Sequence, residues 1–309
     1  MRPDLPLGSL RAGPATGSEE GHADRSPAGR RGNARTRMRG LIITADDFGL
    51  HTSVNEAVER AHRDGVLSAA SLMVAAPAAA DAIARAHALP SLRVGLHLVL
   101  ADGQAMLPAS HIPDLVDAHG RFGDRMARDG VRFFFLPHVR RQLAAEIRAQ
   151  FEAYAASGLP LDHVNAHKHF HLHPTVLGMI LAIGRDYGLR AIRWPNEQPA
   201  PLLLRPWLAL LRRKLDTAGI ASNDYVFGIA QSGRFDEAAL LDALAKLPAQ
   251  GVGEIYLHPA LISGAEIGAS MPTYRHADEF AALVSPRVRA ALERQRIRLG
   301  GFSDVAVAG

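Results

Sequence analysis

The chain has 309 residues, of which 48% are hydrophobic and 21% charged, a composition typical of a soluble protein with one large domain. It contains no cysteine, which excludes disulfides, thiolate metal sites and a cysteine nucleophile. The formal net charge is +4, but seven arginines against four acidic residues place +3 of it in residues 1–37. The rest of the chain is close to neutral, so its charge does not indicate a nucleic-acid partner.

Residues 1–37 differ in composition from the rest of the chain. They are rich in Gly, Pro, Ser and Arg, show no helical or strand period, and lack the apolar core of a secretory signal. We therefore predict a disordered tail over 1–37 and a single domain over 38–309. A second interpretation places the start of translation at Met38, directly before the first predicted strand.

Strand and helix patterns alternate after the tail. Short apolar runs predict strands near residues 41–44, 67–75, 93–100, 162–166, 190–194, 254–257 and 298–302. Three-to-four spacing predicts helices near residues 54–61, 81–88, 137–156, 236–247 and 277–295, with another beginning at Pro174. Residues 101–131 form a long excursion that contains Gly and Pro. This alternation predicts a parallel α/β fold, with catalytic residues at the carboxyl ends of the strands.

The first chemical motif, TADDFG, follows the first predicted strand. Neighbouring residues of a strand point to opposite faces. Asp46 and Asp47 can therefore converge only if the strand ends there and the backbone turns, as Gly49 permits. One carboxylate could then bind a metal while the other accepts a proton. Taken alone, the motif fits a helix-capping pair of aspartates equally well.

Histidines form the second and third motifs. His97 lies within the apolar strand GLHLVL, where it needs a polar partner, although a core histidine satisfied by hydrogen bonds is the commoner case. The tract HVNAHKHFHLHP carries polar residues at every odd position from His163 to His173. An extended conformation would place them on one face, so we predict an extended metal-binding stretch. A solvated edge or a surface metal-chelating tract is the alternative.

Together, these motifs resemble the YdjC/ChbG-like carbohydrate deacetylases, especially the branch associated with hopanoid biosynthesis (HpnK-type). The resemblance extends over residues 41–302. It is carried by TADDFGL at residues 44–50, VGLHLVL at 94–100, HVNAHKHFHLHP at 163–174 and IYLHP at 255–259. Each motif alone is unspecific, whereas the ordered set is highly specific.

The resemblance implies an irregular TIM-like (β/α) barrel in a single α/β domain. It implies a divalent metal ion, Mg²⁺ or Zn²⁺, bound by Asp47, His97 and His167. It also implies Asp46 as the catalytic base and His258 as the general acid. The common family form has Asp-Ser directly before the metal-binding histidine, where this chain has Asn165 and Ala166.

The implied reaction is removal of the N-acetyl group from an N-acetylglucosamine-type sugar, linked to a hopanoid lipid. The expected location is the cytoplasm, at the inner face of the membrane. Chito-oligosaccharides are the alternative substrate. Two histidines and one carboxylate also form the iron site of non-haem oxygenases, and the histidine tract would also suit a metal-storage or metal-sensing protein.

Residues 199–215 have the composition of an interfacial helix. They have a broad apolar surface beside a basic cluster: Leu203, Trp207, Leu208, Leu210 and Leu211, with Arg205, Arg212, Arg213 and Lys214. This segment is too short and too charged to cross a bilayer. It predicts either an ordinary outer helix of the barrel or a peripheral contact with the membrane that guides a lipid-linked sugar to the site.

Overall fold

The computed structural model describes residues 39–197, 205–262, 264, 267–268 and 271–307. The predictions for residues 1–37 and for a start at Met38 lie outside these ranges, as does most of the first half of the 199–215 segment. The domain boundaries therefore stay predictions.

Strands and helices alternate along the described chain. The strands are β1 (Gly40–Phe48), β2 (Ala69–Leu72), β3 (Arg93–Leu98), β4 (Val164–Ala166), β5 (Tyr225–Phe227), β6 (Val252–Leu257) and β7 (Arg298–Leu299). The helices are α1 (Thr52–Asp64), α2 (Ala79–His87), α3 (Met126–Phe135), α4 (Pro137–Ala156), α5 (Pro174–Gly184), α6 (Arg205–Ala218), α7 (Glu237–Ala245), α8 (His276–Leu283), α9 (Pro286–Gln295) and α10 (Phe302–Val305). Two short 3-10 helices cover His167–Leu172 and Arg185–Tyr187.

The described strands form one parallel sheet in the order β4-β3-β2-β1-β6-β5, and β7 pairs with the start of β1. Every residue of the central strand β1 is buried, as expected for a parallel strand covered on both faces. Isolated parallel bridges join Val164 to Ile192 and Ala191 to Ala221, which continues the pairing beyond β4. The structure confirms a single α/β domain with a curved, TIM-like parallel sheet surrounded by helices.

Several predicted elements have different limits. The predicted strand at 190–194 is reduced to the two bridges above. The predicted helix at 277–295 is two helices, because Pro286 cannot continue α8 and Ser285 caps the start of α9 by accepting from two backbone amides. The predicted excursion at 101–131 contains the start of α3, a helix that the sequence patterns did not predict. The amphipathic helix at 137–156 is confirmed with its stripe, including Val139 and Phe151, fully buried.

Candidate metal and catalytic site

The carboxyl end of β1 brings two neighbouring carboxylates to one site. The register with β2 shifts between Ala45 and Phe48, and Asp47 adopts a left-handed φ of 61°. Residues other than glycine rarely adopt this backbone conformation, and such backbone strain is typical of functional sites. Gly49 is also left-handed, at 99°. The predicted turn is therefore present, but it begins at Asp47 and not at Gly49. Asp47 is the first residue that interrupts the alternation of side chains between the two faces of the strand.

Asp47, His97 and His167 converge at the carboxyl ends of β1, β3 and β4. Asp47 Oδ1 lies 3.2 Å from His97 Nε2 and 3.1 Å from His167 Nδ1, and the two ring nitrogens are 3.3 Å apart. One potential ligand atom from each residue lies within 4.8 Å of the others, and all three residues are buried. The second oxygen, Asp47 Oδ2, is buried without a hydrogen-bond partner within the described chain.

The histidine tract is not extended beyond Ala166, so the prediction of an extended stretch is wrong there. The chain enters a 3-10 turn at His167, and both Lys168 and His169 adopt left-handed φ values of 53° and 56°. A left-handed turn ends the period of two that would have aligned the odd positions. Of the later histidines in the tract, His169 lines the site cavity, and its Nε2 lies 3.0 Å from the Tyr256 hydroxyl. Burial lowers the pKa of His169 to about 3, so this ring is uncharged.

Asn165 stands where the common family form has an aspartate, and it contacts both His97 and Asp46. Its Oδ1 lies 2.7 Å from His97 Nδ1, and its Nδ2 donates to Asp46 Oδ1 at 3.1 Å. An amide oxygen can only accept, so His97 carries its hydrogen on Nδ1. The lone pair on Nε2 then faces Asp47 and His167, as a metal ligand requires.

Arg193 contacts the site through Asp46, and the sequence motifs did not reveal it. Its guanidinium is completely buried, donates to Asp46 at 2.5 and 2.9 Å, and donates to Glu254 at 2.9 and 2.8 Å. It also lies 4.6 Å from the centre of the Tyr256 ring. Burial alone would raise the pKa of Asp46, but the charge and hydrogen bonds of Arg193, together with the charges of His97 and His258, hold that pKa well below its usual range. Asp46 is therefore ionised.

His258 follows β6 and lines the same cavity as Asp46. Its Nδ1 is buried without a hydrogen-bond partner within the described chain, while its backbone amide donates to Glu279. Burial lowers the pKa of His258, and attraction to Asp47 and Asp46 offsets this only in part. The ring is therefore uncharged near neutral pH in the free site and must gain a proton before it can act as an acid.

A small cavity opens over these residues. It has a volume of about 170 Å³ and is lined by Asp46, His97, His167, His169, Tyr256, His258 and Tyr274, among others. A second cavity of about 390 Å³ shares His167 and Met271 with it and has an aliphatic wall that includes Leu50 and Val99. Four of the five predicted site residues, all except Asp47, thus line one cavity, and a larger cavity lies beside it.

Comparison with known proteins gives a family for the whole domain. The sequence model of the family described as YdjC-like protein matches residues 40–294. A carbohydrate deacetylase of Brevibacillus brevis is 30% identical over 271 residues, which cover 86% of this chain and 99% of that protein. A chitooligosaccharide deacetylase of Serratia marcescens is also 30% identical, with 86% and 98% covered.

A solved structure has the same fold. A crystal structure from Enterococcus faecalis V583, whose name refers to cellobiose-phosphate cleavage, superposes with a TM-score of 0.70 at 25% identity. The match covers 87% of this chain and 99% of that protein.

Proposed function

Since the chain belongs to the family of YdjC-like proteins, we propose that it is a carbohydrate deacetylase that hydrolyses the acetamide of an N-acetylated amino sugar. The observation that carries the proposal is an ionised carboxylate, Asp46, on the wall of one cavity beside a buried Asp-His-His cluster whose two histidines line the same cavity. Relatives at 30% identity that are named as deacetylases of carbohydrate support the same reaction class.

The cluster of Asp47, His97 and His167 fits a divalent metal ion. Its three donor atoms converge, one Asp47 oxygen has no partner, and the His97 lone pair is directed into the cluster by Asn165. Such an ion would supply Lewis-acid polarisation of the acetamide carbonyl and of water. Two imidazoles suit Zn²⁺, whereas completion by oxygen ligands suits Mg²⁺.

Asp46 and His258 line the cavity as a base and an acid. The ionised Asp46 accepts the proton of the attacking water, and Arg193 holds its carboxylate in place through two hydrogen bonds. His258 lines the same cavity and would donate a proton to the leaving amine. Because burial keeps His258 uncharged in the free site, its proton must arrive in the substrate complex. The products are acetate and a free amino sugar.

The substrate is proposed to be an N-acetylglucosamine-type sugar, either in a chito-oligosaccharide or linked to a hopanoid lipid. An assay of acetate release should compare N,N′-diacetylchitobiose with a glycosylated hopanoid under identical conditions. Release of acetate from either substrate, without oxygen or a co-substrate, supports the deacetylase and excludes an iron oxygenase. Failure to release acetate from both substrates in the metal-loaded protein would contradict the proposed reaction.

Metal binding provides a separate prediction. We expect His97→Ala to lower the affinity for Zn²⁺ by at least about 100-fold, because it removes one of three converging ligands. Isothermal titration of the chelator-treated protein measures this affinity. The matched control is His111→Ala, which removes an exposed histidine. A metal-storage protein built on the tract after β4 would instead keep its affinity when His97 is replaced.

The α6 helix divides its apolar side chains between the core and the surface. Leu211 and Leu215 are buried, whereas Trp207 and Leu210 are 38% and 58% exposed. The helix is therefore a barrel helix that also presents an apolar, basic outer face. No helix within the described residues is both long and apolar enough to cross a membrane. We propose that this outer face makes a peripheral contact with an anionic membrane.

Helix α3 extends the same surface across α5. Phe134 and Phe135 are 51% and 68% exposed. Phe134 and Lys214 line one open groove together with Gly178 and Met179 of α5. Exposed aromatic and cationic side chains thus lie around one groove, which supports an interfacial role for the surface.

We expect replacement of Trp207 and Leu210 by serine to weaken binding to anionic vesicles by roughly 10-fold. These exposed side chains lose apolar contact with the bilayer without opening the core. Co-sedimentation with vesicles containing phosphatidylglycerol measures the effect. Leu299→Ser removes a 39% exposed leucine elsewhere and serves as the control. Unchanged sedimentation of a folded double variant would make α6 an ordinary barrel helix.

A further inference from the structure

A continuous path of buried hydrogen bonds leads from His97 to the start of β4. From Asn165, it runs through the Ser71 hydroxyl to the His163 ring and then to Asp162. The distances along these steps are 2.9, 3.0 and 2.9 Å. None of these residues is more than 5% exposed. The path uses His163, a histidine of the tract that does not line the cavity, and the proposed chemistry gives it no role.

The donors along this path have one consistent direction. Asp162 accepts from His163 Nδ1, so Nε2 of a neutral His163 is an acceptor. Ser71 accepts from the Asn165 amide and therefore directs its own hydrogen to His163 Nε2. The Asn165 amide nitrogen is thereby held towards Ser71, which leaves its oxygen towards His97.

We propose that Ser71 and His163 are positioning residues that fix the tautomer of His97 by preventing the Asn165 amide from flipping. A flipped amide would present its nitrogen to His97 and require the hydrogen on Nε2 of that ring. The Nε2 nitrogen would then present a hydrogen, and not a lone pair, to Asp47 and His167. The inference rests on the proposed function only in taking the Asp-His-His cluster as a metal site.

Asp46 alone does not hold the amide throughout the proposed reaction. Asn165 Nδ2 donates one hydrogen to Asp46 and the other to Ser71. When Asp46 accepts a proton from water, its oxygen becomes a weaker acceptor for the amide. Ser71 takes no part in that proton transfer, so the hydrogen bond that it accepts from the amide is unchanged.

The far end of the path is itself fixed. Asp162 accepts from the backbone amide of Phe302 at 3.0 Å, and from the amide and hydroxyl of Ser303 at 2.9 and 2.6 Å. The His163 ring also stacks on Phe302, with 4.7 Å between the ring centroids. A Cβ atom on Gly95 would lie 2.5 Å from this ring, so a glycine is needed beside it. Helix α10 therefore anchors the orientation of a metal-site histidine.

The tautomer can be observed directly in the unmodified protein. The charges of Asp46 and Asp47 outweigh burial and raise the pKa of His97, so the spectra must be recorded at an alkaline pH where this ring is neutral. Long-range ¹H–¹⁵N spectra of the chelator-treated full chain should then show His97 protonated on Nδ1 and unprotonated on Nε2. The same spectra should show His163 protonated on Nδ1. A neutral His97 ring protonated on Nε2 and unprotonated on Nδ1 would overturn the inference, and this measurement requires no variant to fold.

Metal affinity tests the role of Ser71. We expect Ser71→Ala to lower the affinity for Zn²⁺ by about 10- to 100-fold, the usual range for residues that orient a metal ligand. Ser68→Ala is the matched control, because Ser68 is a buried serine just before the same strand whose hydroxyl contacts only backbone oxygen and nitrogen. Equal losses in the two variants would make Ser71 merely structural.

Asn165→Asp separates tautomer control from packing. Both oxygens of an aspartate accept, so this side chain cannot present a donor to His97 in either orientation. In the Asn165→Asp background, Ser71→Ala should therefore change Zn²⁺ affinity by less than about 3-fold. An undiminished loss in that background would overturn the inference. These readouts do not depend on deacetylation, so a failed acetate assay would contradict the proposed function and leave this result standing.

Discussion

Replacing Asp46 by asparagine is expected to lower kcat for deacetylation by roughly 10²–10⁴-fold while leaving Zn²⁺ affinity within a few-fold of the original value. Asparagine keeps the size of the side chain but cannot accept the proton of the attacking water. Asp46 is not one of the three converging donors, since its carboxylate oxygens are occupied by Arg193 and Asn165. Initial rates and metal titration on the same preparation measure the two effects.

Asp47→Asn is the matched control, because it makes the same chemical change one residue away. This variant should lose metal affinity and turnover together, since Asp47 Oδ1 lies within 3.2 Å of both histidine nitrogens. The contrast between the neighbours separates a base from a ligand. Near-normal turnover in Asp46→Asn, or equal losses of metal in both variants, would remove Asp46 from the proposed role.

The sequence predicts where strands end better than it predicts the conformation of the segments that connect them. TADDFG places two carboxylates where a strand turns, and β1 does turn there through left-handed Asp47. His97 could be recognised because a histidine in an apolar strand needs a partner, and the structure supplies Asn165 and Asp47. The parallel fold followed from alternating periods, which are local properties of the chain.

Other features depend on contacts that no local pattern records. The turn after Ala166 bends at Lys168 and His169, neither of which is a residue that usually adopts positive φ. Helix α3 was not predicted, because its first residues lie in the excursion that contains Gly and Pro. Arg193 stands in the short predicted strand at 190–194, and no local pattern links it to the site motifs. Its two carboxylate partners are 147 and 61 residues away.

Arg193→Met is expected to lower the free energy of unfolding by roughly 3–5 kcal/mol, because it leaves the buried carboxylates of Asp46 and Glu254 without their counter-charge. Methionine retains much of the side-chain volume, so the loss reports charge more than packing. Urea denaturation in the presence of a chelator measures it without a contribution from bound metal. The matched control is Arg148→Met, which breaks a half-exposed pair with Asp186 and should cost less than about 1 kcal/mol.

The pH dependence of this loss distinguishes uncompensated charge from a packing defect. In the original protein, the pKa of Asp46 is held below the unfolded value of 3.8, so its ionised form stabilises the fold above that pH. Without Arg193, burial raises the pKa of Asp46 in the folded state. Ionisation of Asp46 then destabilises the fold, so the stability of the variant falls as the pH rises. The deficit of Arg193→Met should therefore be larger at pH 7.5 than at pH 4.5, and addition of Glu254→Gln should recover part of it. A deficit that is the same at both pH values would show that Arg193 acts through packing.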